Sequence, residues 1–320
     1  MDVFFFIAQA TMFFVIPLLI VALGGMFSER SGIVNIALEG KMVMGAFTGV
    51  MFLTLFQSPD RDIMDQGILL LALLVAMATG IIMSLLHAFA SINLKANQVI
   101  SGIAINMFAP AFAIYTAIFY MDEQHISFIN QFRIDSVPVL GNIPFLGPLL
   151  FQNTYITTYL GFLIFGISAF VLYKTKFGLR LRACGEHPQA ADSVGINVVK
   201  MRYAGVLISG ALAGMGGLIW VIPISTRFGG DVRGYGFLAL AVLIFGAWKP
   251  LRILLAALFF GILQAISNSF SAIPFLLNLG IPAEFYNMVP YIATLVLLAF
   301  TSKNSQAPKA VGQPYDKGGR

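Results

Sequence analysis

Asn35, Glu39 and Lys41 stand together at the start of an apolar stretch, in the run Asn35-Ile36-Ala37-Leu38-Glu39-Gly40-Lys41. Asn35 and Glu39 are four residues apart, so on a helix they share one face. An amide beside a carboxylate suits a solute rich in hydroxyls, because one donates and both accept. Gly40 lets the backbone unwind next to them. A plainer use of the same residues stands beside this one: Glu39 closes the boundary of an apolar segment, paired with Lys41 or turned to water. Asn106, with Asn97, Gln98 and Ser101, adds uncharged polar groups to a later apolar run.

Other chemistry finds little support. Gly40-Lys41 lacks the earlier glycine and the following hydroxyl residue of a phosphate-binding loop. Cys184 is the single cysteine and forbids an internal disulfide, and His87, His125 and His187 lie far apart without metal-ligand spacing. No Ser/His/Asp arrangement is indicated.

A second cluster occupies the polar stretch 174–202. It opens with Lys174, Lys176, Arg180 and Arg182, suited to anionic lipid, and continues Gly185-Glu186-His187-Pro188-Gln189-Ala190-Ala191-Asp192-Ser193-Val194-Gly195-Ile196-Asn197. Pro188 suits a first helical position and Gly195 a stop, so a short helix is expected between them. Such a helix can press into a groove on a soluble partner, or be a plain connection.

These groups sit in a chain of 320 residues that is 58% hydrophobic and 10% charged, with mean hydropathy +0.87. Soluble domains carry roughly 25% charged residues, so that class is excluded. Nine apolar spans are read, at 3–24, 42–57, 67–88, 97–120, 155–173, 203–222, 235–248, 251–268 and 288–302. The segments do not alternate in polarity as a barrel's would. The expectation is an all-α polytopic membrane protein with about nine (eight to ten) spans. Residues 1–302 form one transmembrane domain, and 303–320 are a disordered cytoplasmic tail without further role.

With the N-terminus outside, fifteen of the nineteen basic residues fall inside, leaving Arg61, Arg133, Arg227 and Arg233 outside. The outer loops then hold Asp60, Asp62, Asp65, Asp122, Glu123 and Asp135. Positive charge collects on the cytoplasmic side, so the expected topology is N-out and C-in. The same bias accounts for the net charge of +5 without nucleic acid. No basic stretch precedes the first span, which is therefore expected to stay as an anchor. Trp220 and Trp248 close their spans in the manner of interfacial aromatics.

Ile36–Phe47 has a weak echo in Leu238–Trp248. By the charge topology the two lie in opposite directions, which would make the halves an inverted repeat; chance likeness among Ala, Leu and Gly is the alternative. Both echoes are irregular. Asn35, Glu39 and Lys41 interrupt the first, while the second has a short span preceded by Gly229, Gly230, Gly234 and Gly236. Interrupted segments at matching places mark a solute path, or a re-entrant turn without ligand contact. On span six, Gly210/Gly214 and Ala213/Gly217 are small-xxx-small pairs that read as helix packing.

Ser28-Glu29-Arg30-Ser31-Gly32-Ile33-Val34-Asn35-Ile36-Ala37-Leu38-Glu39-Gly40 resembles the signature of ABC-importer permeases of the branched-chain amino acid/ribose type, above all the nucleoside and simple-sugar branch. Gly185-Glu186 through Ala190-Ala191 to Gly195-Ile196-Asn197, Ser209-Gly210 and Gly214, Phe237-Leu238-Ala239-Leu240 to Phe245-Gly246, and Pro290-Tyr291 fit in the same order. The resemblance covers roughly residues 20–300. It implies alternating access in a bacterial plasma membrane, with a second permease chain, a cytosolic ATPase and an extracellular binding lipoprotein as partners. ATP and Mg would sit on the ATPase, and this chain would bind no cofactor. Gly185, Glu186, Pro188, Ala190, Ala191, Gly195 and Ile196 would fall in the ATPase-contacting loop. Asn35, Glu39 and Gly40 would fall in a broken second span, with Asn106 and Phe237 further along the path. Members often have a tenth short segment, for which 138–150 or either end of span seven is the place. The cargo is expected to be a nucleoside, with a simple sugar as the alternative. An autonomous carrier using Glu39 is the competing class.

Overall fold

A computed structural model describes residues 2–57, 66–301 and 307–317. Asp60, Arg61, Asp62 and Asp65 of the expected outer loop, and tail residues 302–306 and 318–320, lie outside the described residues. Each of the nine apolar runs is a helix. They are α1 (Asp2–Arg30), α2 (Leu38–Phe56), α3 (Gln66–Ala88), α4 (Gln98–Met121), α5 (Ile156–Lys174), α8 (Val198–Ile224), α9 (Tyr235–Phe245), α10 (Pro250–Asn268) and α12 (Ala283–Thr301). Between them lie α6 (Lys176–Glu186), α7 (Pro188–Ser193) and α11 (Pro274–Leu277). Among the described residues, seven helices are long and apolar enough to cross a bilayer, and α9 is a shorter apolar one.

The axis of the bundle is α8, buried without a break from Ser209 to Ile222, with α1, α2 and α3 packed against it. Its small residues explain why. A Cβ on Gly210 would overlap the Gly80 carbonyl oxygen, one on Gly214 the Ala76 carbonyl, and one on Gly217 the Met42 carbonyl. Lipid tails are as apolar as leucine, so helices in a bilayer associate through this kind of close backbone contact. Gly210, Gly214 and Gly217 thus sit at helix crossings.

Two small antiparallel ribbons gather at one end. β1 (Ile126–Ser127) pairs with β4 (Arg227–Phe228), and β2 (Arg133–Ser136) with β3 (Gln152–Tyr155). Thr54 at the end of α2 donates to the Ser127 carbonyl there. At the other end of the bundle Arg30 donates to the Trp248 carbonyl just beyond α9. Therefore α2 runs toward the ribbons and α9 runs away from them. α2 and the shorter α9 are antiparallel.

Several expectations change. The 138–150 stretch forms short turns, including 3-10 turn Leu140–Asn142, and holds no tenth spanning helix. Trp220 and Trp248 do not sit in an interfacial girdle: both are buried, and the Trp248 indole donates to Glu29 Oε2 at 2.6 Å. Lys41 is fully buried in the bundle, so it is not a charge at the cytoplasmic surface.

The tail also departs from its expected disorder over 307–317. The Ala310 N–H donates to the Gly185 carbonyl at 2.9 Å, and the Gly312 N–H to Gly32 at 3.2 Å. Arg202 Nη1 donates to the Gln313 carbonyl at 3.0 Å, and Asp316 pairs with Lys95 at 3.0 Å. A segment too polar to build its own core is fixed here by backbone groups that other elements leave open.

Candidate functional site

The break before α2 is held by side chains. Residues 31–37 leave the helical pattern, so their backbone groups need partners inside the bundle. Gln98 Oε1 accepts the Val34 N–H at 2.8 Å, and His87 Nε2 lies 3.0 Å from the Val34 carbonyl. Asn106 Nδ2 donates to the Ile36 carbonyl at 2.9 Å, while its Oδ1 accepts the Gly40 N–H at 2.8 Å. One amide therefore closes both sides of the break. Gly40 must be glycine for space, since a Cβ would come within 2.7 Å of the Ile105 carbonyl oxygen.

Asn35 and Glu39 do not share a helix face. Asn35 precedes the first turn of α2 and is fully buried. Its Nδ2 donates to Ser209 Oγ at 2.6 Å, and its Oδ1 accepts from Lys41 Nζ at 2.7 Å. Glu39 turns the other way. Its Oε1 accepts the Gly234 N–H at 2.9 Å and its Oε2 the Gly236 N–H at 2.6 Å. The pairing of Glu39 with Lys41 is likewise absent. A carboxyl group on the first turn of α2 thus caps the first turn of α9, where open N–H groups and the helix dipole favour an acidic group.

The consequence is geometric. Two antiparallel helices meet N-terminus to N-terminus within the bundle, joined by one side chain. Gly236 packs so closely on Glu39 that any Cβ would strike its backbone, and Gly234 has the left-handed φ of +76° that starts α9. Phe237, one residue further, is half exposed.

The second cluster is built on a tight corner. The Thr175 hydroxyl accepts the Gly178 N–H at the start of α6. Glu186 at its end lies 3.6 Å from Arg30, the residue that also holds the end of α9. α7 follows from Pro188, and Gly195 has φ +82° past its end. Pro188, Gly185 and Ala191 face inward, Ile196 packs partly against the same small core, and Gln189, Ala190, Ser193 and Val194 face out. Burial pushes the Cys184 thiol beneath up to about 11, so it stays neutral as a packing group. Beside α7 lies a cleft of about 510 Å³ lined by Ile196, Val199 and Lys200 together with Tyr315 and Lys317 of the tail.

Glu29, Arg30 and Ser209 stand within the runs that carry the resemblance, but neither their buried partners nor those of Arg202 were read from the sequence. The only signal was their polarity within apolar surroundings. Among the described residues no cluster of His, Cys, Asp or Glu could hold a metal.

Long apolar helices, a broken span and a short helix that meet end to end inside the bundle, and buried polar joints fit a solute permease. The chain belongs to the family described as branched-chain amino acid transport system / permease component, whose model matches residues 7–298. It is 45% identical over 316 residues to the guanosine ABC transporter permease protein NupQ of Bacillus subtilis, covering 98% of this chain and 97% of that one. It is 39% identical over 302 residues to the nucleoside ABC transporter permease protein NupC of Lactococcus lactis, covering 94% and 93%. Similarity to the putative glucose ABC transporter permease protein TsgC13 of Haloferax volcanii is lower, 29% over 324 residues, with 94% of each chain covered. No solved structure matches the chain.

Proposed function

We propose that this chain is the permease subunit of an ABC importer that carries nucleosides inward by alternating access. The observation that carries the reading is the near full-length similarity to two nucleoside permeases at 45% and 39% identity, against 29% for the glucose relative. The ATPase and its Mg and ATP belong to a cytosolic partner. A second permease chain completes the path, and an extracellular lipoprotein delivers the solute.

The excess of basic residues near the Arg30 end supports placing that end, and the C-terminus, in the cytosol. The outward residues of α7, Ala190 with Gln189, Ser193 and Val194, form the surface on which the ATPase presses. Gly185, Pro188 and Ala191 seat α7 on the bundle, and Glu186 ties it to Arg30. Force applied at α7 then reaches the end of α9 through Arg30. In the membrane, Glu39 and Phe237 flank the path, while Asn35, Gly40 and Asn106 are the frame that holds the broken span. Both Glu39 oxygens are engaged by backbone N–H groups, which argues against a carrier that loads a proton or sodium there.

The test is guanosine uptake into proteoliposomes. The chain with its second permease, ATPase and binding lipoprotein should import guanosine when ATP is supplied inside the ATPase compartment. The chain alone should import none under a proton or sodium gradient, and gradient-driven uptake by it alone would overturn the reading. Ala190→Glu should release the ATPase on co-purification while the chain stays inserted.

A further inference from the structure

Between α1, α8, α9, α10 and α12 lies a chamber of about 210 Å³ that no interaction described above uses. Its wall carries a cluster of aromatic rings tilted against one another. Tyr235 lies 5.3 Å from Trp220 and 6.4 Å from Phe14 between ring centroids. Tyr291 adds a fourth ring, held by its hydroxyl to the Arg233 carbonyl at 3.0 Å.

Two of the buried polar atoms that lack a well-formed partner among the described residues stand in this wall. Trp220 and Tyr235 are 5% and 4% exposed, and the indole N–H and the hydroxyl lie against each other in a contact that falls short of good hydrogen-bond geometry. Buried polar groups of native proteins are nearly always paired, so such atoms ask for a ligand or water. Opposite them, Asn268 Nδ2 donates to the Gln264 carbonyl and to Gln264 Oε1. That contact fixes both amides, and among the described residues Gln264 Nε2 and Asn268 Oδ1 make no further hydrogen bond. A fixed donor beside a fixed acceptor, facing flat aromatic surfaces, is the arrangement by which side chains read the edge of a purine while its face stacks. Around this chamber, a second cavity of about 320 Å³ lies toward β4 and shares Trp220, Ile224 and Arg233 as walls. It gives the chamber an approach from the ribbon end.

Resting on the nucleoside reading above, we infer that this chamber is the pocket that recognises the nucleobase during transport, with Trp220 and Tyr235 stacking on the base and Gln264 and Asn268 reading its edge. Its position gives it a way to act. Tyr235 lies between Gly234 and Gly236, the two residues whose N–H groups bind Glu39. A base seated on Tyr235 therefore presses on the joint between α2 and α9.

The experiment uses the permease–ATPase complex in nanodiscs without the binding protein, titrated with guanosine, guanine and ribose while tryptophan fluorescence is read. Guanosine and guanine should change the fluorescence and ribose should not. Trp220→Phe keeps a stacking ring and should remove the change. Tyr235→Phe and Gln264→Met should each move the guanosine midpoint up by roughly 2- to 12-fold, the equivalent of one hydrogen bond. The chamber is overturned if Trp220→Phe keeps the full signal, if ribose titrates as well as guanosine, or if both other variants titrate like the unaltered complex. Guanosine uptake by the unaltered importer, reconstituted in proteoliposomes with its binding lipoprotein, is measured alongside. Its absence would defeat the nucleoside reading, whereas uptake with unaffected variants would defeat the chamber alone.

Discussion

The two broken segments solve one problem in opposite ways. Before α2, side chains from α3, α4 and α8 close the exposed backbone: His87, Gln98, Asn106 and the Asn35–Ser209 contact. Before α9 the chain uses glycine instead, and Glu39 alone caps the first turn. Around α2 several side chains converge on the break, although Gln98 Nε2 itself lacks a partner among the described residues. Beside α9, the Trp220 indole and Tyr235 hydroxyl have only an imperfect contact with each other. One break is closed by side chains from three helices, and the other by a single carboxylate beside the aromatic chamber; we read the first as a frame and the second as a hinge. Alternating access needs a part that stays and a part that moves, and pairing the two breaks supplies both.

The largest effect should come from the frame. Asn35→Ala removes the acceptor of Lys41 Nζ and the donor to Ser209 at once, in a fully buried site. Leaving buried donors unsatisfied costs about 1–3 kcal/mol each, so a loss of roughly 3 kcal/mol is expected. Thermal unfolding of the purified complex should show a clear fall in midpoint, with lower yield. The double variant Asn35→Leu/Lys41→Met, which removes both partners, should recover much of that loss and retain uptake. Recovered folding without uptake would move Asn35 from frame to solute contact and break the comparison.

The hinge should answer differently. Glu39→Gln keeps the shape but offers one acceptor oxygen where two N–H groups need one each. Losing a charge-assisted hydrogen bond costs roughly 1.5–3 kcal/mol. Uptake rate should fall strongly while the unfolding midpoint shifts less than in Asn35→Ala. Equal damage to stability and transport would mean that this joint, too, is only a frame.

Legibility in the sequence followed what each signal measures. Apolar run length located all nine helices, and Pro188 with Gly195 located α7, because these depend on local chemistry. The opposed direction of α2 and α9 was legible from loop charges. The partner of Glu39 was not, since Gly234 is 195 residues away and backbone N–H groups carry no residue signature. Reading Asn35 and Glu39 as one face assumed that the helix began before Asn35, whereas it begins at Leu38. Tail composition reported that 307–317 cannot form a core, but not that Gly32, Gly185 and Arg202 would hold it. The aromatic chamber joins residues from five helices, and thirty phenylalanines across the chain hide any such pattern.

The smallest effect separates the two glycines at the breaks. Gly40 is required for space, because the α4 backbone lies against it. Gly234 has room: an added Cβ would meet only the Tyr291 hydroxyl oxygen, at an ordinary 3.7 Å. What Gly234 supplies is its φ of +76°, and placing an alanine there costs about 1–2 kcal/mol. Asparagine visits this left-handed region more readily than alanine. Gly234→Ala should therefore lower the unfolding midpoint by roughly 2–4 °C, and Gly234→Asn by less. Gly40→Ala should exceed both, because no choice of φ relieves a backbone overlap. If Gly234→Asn proved worse than Gly234→Ala, bulk and not backbone twist would govern the start of α9, and the hinge would be as tightly packed as the frame.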